Sequence, residues 1–429
     1  MKFYSNPART LWDDISRRPR MSRDDLFPQV RSILDAVKRE GDEALIRLTG
    51  ELDGVALSSV VCREKEFEDA AGSVSPQLKR DIRLAIENVR AFHQAQKEEI
   101  RVVETQKGVR CWREARAIEK VGLYVPGGTA PLFSSVVMLA VPAVLAGCSE
   151  IVLCSPPQKD GTLHPAILWT AREIGVTTVC KIGGAQAIAA MAYGTASVPA
   201  VYKILGPGNQ YVTAAKLLVS TEEVAIDMPA GPSEVLVIAN GKADPEFIAS
   251  DLLSQAEHGT DSQVLLVTDD PRLPERVHAE IRRQLPPLGR AEIAEAALEN
   301  SKLLVMKNLD ECMEFSNHYA PEHLILHTEN ADKLSKKVVN AGSVFLGEYT
   351  PESAGDYASG TNHTLPTAAF ARNYSGVSLD SYLKKVTFQA ISPKGLSLIG
   401  PAIEHMAAAE GLDAHKMAVA KRLNKIGKR

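Results

Sequence analysis

From Val121 onward the chain alternates short apolar runs with stretches of helical periodicity, and this alternation limits the folds it can adopt. The runs are rich in β-branched residues and end in turns that contain Gly or Pro; they read VGLYVPGG, EIVLCSPP, TTVCKIGG, VYKILGPG and SEVLVIANG. Strands that alternate with helices in this way are typical of parallel sheets. Similar runs return at SQVLLVTDD, KLLVM, HLILHT and AGSVFLG. The sequence therefore predicts an α/β fold with two sheets.

The two ends of the chain have a different pattern. The first hundred or so residues carry apolar positions at intervals of three and four, which indicates amphipathic helices. After Leu379 the pattern again becomes helical and turns basic, ending in AHKMAVAKRLNKIGKR. With 429 residues, of which 45% are hydrophobic, the chain can bury the cores of two or three domains.

Charge and apolar patterning exclude two classes of partner. The formal net charge is −4, from 49 basic and 53 acidic residues spread along the chain, so no electrostatic footprint for a nucleic acid is present. The N-terminal segment lacks the apolar core of a signal peptide. The longest apolar stretch, 136–148, is interrupted by Pro142 and is too short to span a bilayer. We expect a cytoplasmic protein.

The cysteines carry no metal or disulfide signature. They are scattered along the chain without Cys-x-x-Cys spacing, which is typical of reduced, buried thiols in a cytosolic enzyme. The six are Cys62, Cys111, Cys148, Cys154, Cys180 and Cys312.

Four glycine-containing turns lie where predicted strands meet predicted helices: PGGTAP at 126–131, GGAQA at 183–187, GPGN at 206–209 and PAGPSE at 229–234. Free backbone N–H groups and the helix dipole make such turns suitable for anions. None reads GxGxxG, and each alone is more typical of simple strand-to-helix punctuation. Several in one α/β segment favour a crevice for a dinucleotide.

The segment DPEFIASDLLSQAEHG predicts a helix with Asp244 as N-cap, Pro245 at its first position and Gly259 just beyond its end. Its apolar residues share one side. A polar stripe occupies another and consists of Asp251, Ser254, Gln255 and His258. Gln255 and His258 are one turn apart and could bind one metal ion. Taken alone, the segment favours an ordinary solvated stripe.

Three further segments combine acidic residues with histidine. In NHYAPEHLILHT, Glu322 and His323 supply two proton acceptors at a loop-to-strand junction, although adjacent strand residues share a site only if the backbone is irregular there. A surface Glu-His pair is an equally good interpretation. The loop 350–367 contains Asp356 and His363, and is either mobile or held by a ligand. EGLDAHKMAV contains Glu410 and His415, and alone this histidine is interpreted as a surface residue.

Together these segments resemble the histidinol dehydrogenase family. The resemblance rests on VGLYVPGGTAPLFSSVVMLAVPAVLAG, IGGAQAIAAMAYGT, KILGPGNQYVTAAK, IDMPAGPSEVLVIA, DLLSQAEHGTDSQ, HYAPEHL, SAGDYASGTNHTLPT and AAAEGLDAHK, and covers essentially the whole chain. It implies two Rossmann-like parallel-sheet domains, a helical N-terminal segment and a helical C-terminal tail, in a swapped dimer. The implied divisions are an arm (1–21), a discontinuous first α/β domain (22–122 and 237–375), an NAD-binding domain (123–236) and a dimerisation tail (376–429).

The resemblance also implies roles for individual residues. The implied zinc ligands are Gln255, His258, Asp356 and, from the other subunit, His415. Glu322 and His323 match the proton acceptors of the family. These four ligands and His323 also contact the substrate, together with Ser233, His363 and Glu410. Tyr124, Gln186 and Asn209 match positions that touch NAD.

The implied reaction is the oxidation of L-histidinol to L-histidine through the aldehyde with two NAD, the last step of histidine biosynthesis. The donor set suits zinc or manganese, and a chelating substrate would fill its open positions. A thiohemiacetal on Cys148 or Cys154 is a rival route that ranks below water activated by Glu322. Alternative functions are a related dehydrogenase of another small amino or sulfonated alcohol and, from another class, a metallohydrolase.

Overall fold

The computed structural model describes residues 1–19, 23–127, 130–222, 224–229 and 231–427. Three residues of the predicted glycine turns, Gly128, Thr129 and Ala230, lie outside these ranges. The chain divides into two compact units. The first comprises Met1–Gln96 and Ile118–Tyr382, and the second comprises Lys97–Ala117 and Leu383–Arg429.

The strands are β1 (Lys2–Ser5), β2 (Val103–Gln106), β3 (Val109–Ala117), β4 (Lys120–Tyr124), β5 (Glu150–Cys154), β6 (Thr178–Cys180), β7 (Lys203–Leu205), β8 (Ala225–Ile226), β9 (Glu234–Ala239), β10 (Gln263–Thr268), β11 (Lys302–Val305), β12 (His323–His327), β13 (Ser343–Leu346) and β14 (Leu383–Ile391). The helices are α1 (Trp12–Ile15), α2 (Arg23–Glu40), α3 (Asp42–Leu48), α4 (Glu64–Ser73), α5 (Pro76–Gln94), α6 (Phe133–Ala146), α7 (Pro165–Ile174), α8 (Gly184–Tyr193), α9 (Gln210–Val219), α10 (Pro245–Ala256), α11 (Leu273–Gln284), α12 (Ala291–Glu299), α13 (Leu309–Tyr319), α14 (Ala331–Ser335), α15 (Glu352–Tyr357), α16 (Pro393–Ala409) and α17 (Asp413–Ile426).

The first unit contains two parallel sheets. One has six strands in the order β1-β11-β10-β9-β12-β13, and the other has five in the order β6-β5-β4-β7-β8. Strands β9, β10 and β12 are buried along their whole length, as expected for parallel strands covered by helices on both faces. The prediction of an α/β fold with two parallel sheets is confirmed, and a third, antiparallel sheet lies in the second unit.

The N-terminal helices of the first unit pack on the helices that follow the strands of the five-stranded sheet. Helix α2 packs on α8 and α9, α4 packs on α7, and α5 packs on α6. Apolar residues of α2 such as Leu34 and of α5 such as Val89 are fully buried in these contacts. The amphipathic pattern of the first hundred residues thus corresponds to real helices.

The second unit departs from the prediction. Residues after Leu379 were expected to be helical, but Leu383–Ile391 forms β14 in an antiparallel sheet of order β14-β3-β2, and Trp112 stacks on Phe388 with ring centroids 5.5 Å apart. The cause is pairing with β3, a segment far away in the sequence that local periodicity does not reveal. The helical expectation holds for α16 and α17.

All six cysteines are free; Cys62, Cys154, Cys180 and Cys312 are buried, whereas Cys111 and Cys148 are half-buried. Among the described residues, no helix combines the length and the apolar character needed to cross a bilayer.

Candidate active site

The Glu322–His323 pair lies where α13 gives way to β12. Ala320 adopts a left-handed conformation (φ 54°), Pro321 follows, and β12 begins at His323. This irregular backbone lets both side chains reach one peptide segment. Glu322 Oε2 accepts a hydrogen bond from the N–H of Glu234 at 2.8 Å, and His323 Nδ1 lies 3.1 Å from the carbonyl oxygen of the same residue. The backbone is therefore irregular here, as the sequence analysis required for Glu322 and His323 to share one site.

The contact at Nδ1 determines what the other imidazole nitrogen can do. A carbonyl oxygen only accepts, so Nδ1 of His323 carries the proton and Nε2 is left as an acceptor. Burial lowers the pKa of His323 to about 3, which keeps the ring neutral. Nε2 is buried without a hydrogen-bond partner among the described residues, 3.8 Å from Asp356 Oδ1. The ring therefore presents a free base to the site.

Two carboxylates of α15 face this histidine. Ligand atoms of His323, Glu352 and Asp356 all lie within 4.8 Å of one another, a separation that suits one metal ion. Burial raises the pKa of Asp356 to about 7 and raises the pKa of Glu352 well above its ordinary range, with the nearby carboxylates adding to the effect on Glu352. A divalent cation would stabilise such crowded anions, and imidazole with carboxylate is a donor set that zinc accepts.

Helix α10 agrees with the sequence at its start and differs at its end. Asp244 caps it by accepting from the N–H of Glu246 at 2.8 Å, and Pro245 is its first residue. The helix ends at Ala256, not next to Gly259 as predicted, because the N–H of His258 bonds to the carbonyl of Gln255 at 3.3 Å and tightens the chain into a turn. Gln255 thus occupies the last helical turn.

Two of the four residues of the polar stripe, Asp251 and Gln255, are buried, so its interpretation as a solvated face is wrong for them. Gln255 is fully buried and Asp251 is 8% exposed, while His258 is exposed. Burial raises the pKa of Asp251 to about 7, although the backbone N–H of Glu352 opposes this by donating to it. The apolar residues predicted for the opposite side are all buried. They are Ile248, Ala249, Leu252, Leu253 and Ala256.

The amide of Gln255 is oriented by its neighbours. With Nε2 towards the Glu352 carboxylate (3.1 Å to Oε2), its Oε1 accepts from the N–H of Glu234 at 3.3 Å. The reverse orientation would set oxygen against oxygen. Glu352 is therefore a site residue that the sequence did not single out, and it lies within the segment 350–367 that was expected to be a loop but contains α15.

His363 connects this cluster to helix α6. Its Nδ1 donates to the carbonyl oxygen of Asp356 at 3.0 Å, and its Nε2 lies 3.1 Å from Ser135 Oγ near the start of α6. The neighbouring Asn362 donates to the carbonyl oxygen of Met138 at 2.6 Å. Ser135 was also missed by sequence reasoning, because its serine-rich helix start has no distinctive spacing.

The residues matched to NAD contacts lie at the carboxyl ends of strands in the five-stranded sheet. The Tyr124 hydroxyl accepts from the N–H of Gly184 at 3.1 Å, Gln186 is buried in the first turn of α8, and Asn209 caps α9 by accepting from the N–H of Val212 at 3.1 Å. Gly206 has φ +125°, and a Cβ there would overlap the carbonyl of Tyr124, so the turn requires glycine.

The remaining predicted residues are less enclosed. Ser233 is half-buried directly before β9. Glu410 and His415 belong to the second unit, at the end of α16 and the start of α17, and both are exposed.

Comparison with known proteins agrees with the resemblance. The family model described as histidinol dehydrogenase matches residues 16–423. Histidinol dehydrogenase from Bacteroides thetaiotaomicron is 58% identical over 426 residues, covering 99% of this chain and 100% of the relative. The chloroplastic histidinol dehydrogenase of Arabidopsis thaliana is 52% identical, covering 96% of this chain and 89% of that protein.

A solved structure gives the same result for the fold. The crystal structure of histidinol dehydrogenase from Elizabethkingia anophelis superposes with a TM-score of 0.97 at 52% identity, covering 100% of this chain and 99% of that one. The α/β fold is therefore that of a solved relative. Because the family model and these relatives span nearly the whole chain, it belongs to the histidinol dehydrogenase family.

Proposed function

We propose that the chain oxidises L-histidinol to L-histidine in two steps at the site around His323, with zinc as the bound metal and NAD as the hydride acceptor. Histidinol dehydrogenase activity, the last step of histidine biosynthesis, follows from family membership. The observation that carries the mechanism is the buried Nε2 of His323, which has no partner among the described residues and lies 3.8 Å from a carboxylate.

The proposed zinc ligands are Gln255, His258 and Asp356, with His415 of a partner subunit. A bound zinc ion would hold the imidazole and amine of histidinol and so orient its hydroxyl. The burial of Gln255 and the crowding of Asp356 with Glu352 support a cation at this place. Ser233, His363 and Glu410 complete the proposed substrate contacts.

His323 is the proposed acceptor of the hydroxyl proton in the first oxidation. The bond from Nδ1 to the carbonyl of Glu234 holds its ring in the tautomer that this role requires. The alcohol loses this proton and transfers a hydride to NAD, which gives the aldehyde.

Glu322 is the proposed base for the second oxidation. Water adds to the aldehyde after giving up a proton, and the hydrate then transfers a second hydride to a second NAD. The rival thiol route is disfavoured because burial raises the pKa of Cys148 to about 11 and raises that of Cys154 well above its ordinary value. Both thiols thus remain protonated near neutral pH.

The proposed NAD site lies at the carboxyl edge of the five-stranded sheet. In its strand order, β6-β5-β4-β7-β8, the chain adds β5 and β6 on one side of β4 and β7 and β8 on the other. Rossmann-like sheets bind nucleotides at such a change of side, which here lies between β4 and β7. Tyr124 ends β4, and Asn209 caps the helix that follows β7. These positions, with Gln186, support the assignment of NAD to this crevice.

The proposal includes a swapped homodimer that works in the cytoplasm. In it, the C-terminal tail carries Glu410 and His415 to the site of the other subunit. The exposure of both side chains on the second unit is compatible with this arrangement.

The stoichiometry of the purified protein tests the function. We expect two NADH for each L-histidinol consumed, with L-histidine as the product. One NADH per substrate would indicate a dehydrogenase that stops at the aldehyde or prefers another alcohol. Product formed without NAD would indicate hydrolysis, and either result would contradict the proposal.

A further inference from the structure

Glu234 carries a buried ion pair beside the proposed bases. Its side chain is 1% exposed and that of Arg18 is 8% exposed, and the guanidinium binds the carboxylate through two bonds, Nε to Oε1 and Nη2 to Oε2, both 3.0 Å long. We propose that Arg18 and Glu234 are positioning residues, which hold Glu322 and His323 in place for proton transfer. This inference rests on the proposed roles of those two bases.

The backbone of Glu234 touches three residues of the proposed site. Its N–H donates to Glu322 Oε2 at 2.8 Å and faces Gln255 Oε1 at 3.3 Å, and its carbonyl oxygen accepts from His323 Nδ1 at 3.1 Å. A rotation of this one residue would therefore move both bases, and the proton of His323 would no longer be fixed on Nδ1.

The side chain of Glu234 prevents such a rotation. Besides the two bonds from Arg18, its Oε1 accepts from the N–H of Ala368 at 2.7 Å. A carboxylate held by three donors in a buried place has little freedom, and bidentate pairing with arginine adds a defined plane. The main-chain groups of Glu234 are fixed as a consequence.

Arg18 also holds the segment that leads into the pair of bases. Its Nη2 donates to the carbonyl oxygen of Tyr319 at 2.7 Å, and its guanidinium lies 3.6 Å from the centre of the Tyr319 ring. Tyr319 immediately precedes Ala320, whose left-handed conformation starts the turn to Glu322. One guanidinium thus fixes the start of β9 and the approach to β12.

Stability alone does not account for this arrangement. The desolvation of two buried charges commonly cancels their attraction, so replacing such a pair by neutral groups is often harmless to stability. A base displaced by about 1 Å, by contrast, can cost about a hundredfold in rate. The pair is therefore expected to matter more for turnover than for folding.

Two variants with a matched control test the inference. Arg18→Lys keeps the charge but cannot form the planar pair of hydrogen bonds with the Glu234 carboxylate. The double variant Arg18→Met/Glu234→Gln removes both charges, while a side-chain oxygen remains to accept from the N–H of Ala368. The control is Arg17→Ala, because the neighbouring Arg17 side chain is 81% exposed and pairs with the exposed Asp14. His323→Ala serves as the reference for loss of the base.

We expect both variants to fold. Their kcat and single-turnover rate of NADH formation should fall by about tenfold or more, whereas KM for L-histidinol should stay within about twofold of the wild-type value. The reason is that the bases are displaced and the substrate-binding groups are not. Arg17→Ala should match the wild type. Wild-type kcat in the folded double variant, with activity lost in His323→Ala, would overturn the inference and leave the proposed function intact. Full activity in His323→Ala would overturn the proposed function itself.

Discussion

The carboxylate of Glu352 governs which atom Gln255 can offer to a metal. It is 1% exposed and lies 3.1 Å from Gln255 Nε2. With a cation bound, Glu352 would be ionised and would only accept hydrogen bonds, so it would keep the amide nitrogen on its own side and leave the amide oxygen, the atom that zinc would bind, on the other.

Glu352→Gln should therefore lower the affinity for zinc by about 10–100-fold, as is usual when a partner of a metal ligand is lost. The neutral amide can present either oxygen or NH2 to Gln255 and no longer selects one orientation. Competition with a chromogenic chelator measures the affinity directly. Glu348→Gln, an exposed residue just before α15, is the control. Equal zinc affinity in the two variants would show that Glu352 does not orient the ligand.

Sequence reasoning reached the residue types of the site but not their environment. The N-cap of α10 and its apolar side are local properties, and both were predicted correctly. The burial of Gln255 and the role of Glu352 depend on α15, which packs against α10 from a segment that reads as a polar loop. Arg18 and Glu234 are 216 residues apart, and local periodicity does not link them.

The proposed chemistry uses the amino ends of the strands in one sheet of the first unit and the carboxyl ends of the strands in the other. Glu234 and His323 begin β9 and β12, so the bases lie at the amino edge of the six-stranded sheet. Tyr124 lies at the carboxyl edge of the five-stranded sheet, as nucleotide contacts usually do. The bond between His363 and Ser135 joins the two regions, which suits transfer of a hydride between a substrate and a nucleotide.

Asn209→Ala tests the carboxyl edge at the level of its helix. The substitution removes an N-cap, which should cost about 1 kcal/mol, and it also removes a proposed NAD contact. Loss of one hydrogen bond to NAD, worth about 1 kcal/mol, should raise KM for NAD by about fivefold. Steady-state kinetics at saturating L-histidinol measures this change.

Asn308→Ala provides a matched control for this helix-cap experiment. Asn308 caps α13 in the same way, accepting from the N–H of Glu311 at 2.9 Å, and it is not a proposed NAD contact. Both variants should lower the unfolding midpoint to a similar extent, but only Asn209→Ala should change KM for NAD. A change of KM in both, or in neither, would contradict the assignment.

Strand β14, which the sequence pattern did not predict, is formed by pairing with a distant segment. The alternating strands and helices of the first unit follow one another in the chain, so local patterns suffice to predict them. By contrast, β14 pairs with β3 across most of the chain, and its residues alternate between exposed and half-buried positions rather than forming an apolar run. Such a strand is defined by its partner more than by its own composition.

At the scale of the whole molecule, the division into two units separates the proposed ligands. Gln255, His258 and Asp356 belong to the first unit, whereas His415 belongs to the second. The domain limits drawn from the resemblance, such as 123–236 and 376–429, remain predictions. If all four proposed ligands bind one ion, the path of the tail matters for catalysis as well as for assembly.

Mixed dimers test whether the tail crosses between subunits. His415→Ala and His323→Ala chains should each be inactive alone, since one lacks a ligand and the other a base. If His415 serves the partner subunit, each heterodimer regains one site with both residues intact, and random mixing should restore about a quarter of wild-type activity. The chains are mixed under denaturing conditions, refolded with zinc and assayed for NADH formation.

A mixture of His323→Ala with Glu322→Ala chains is the control. Both residues belong to the same unit, so exchanging tails between these chains restores no site. Dimers as inactive as their parents would show that each tail serves its own chain.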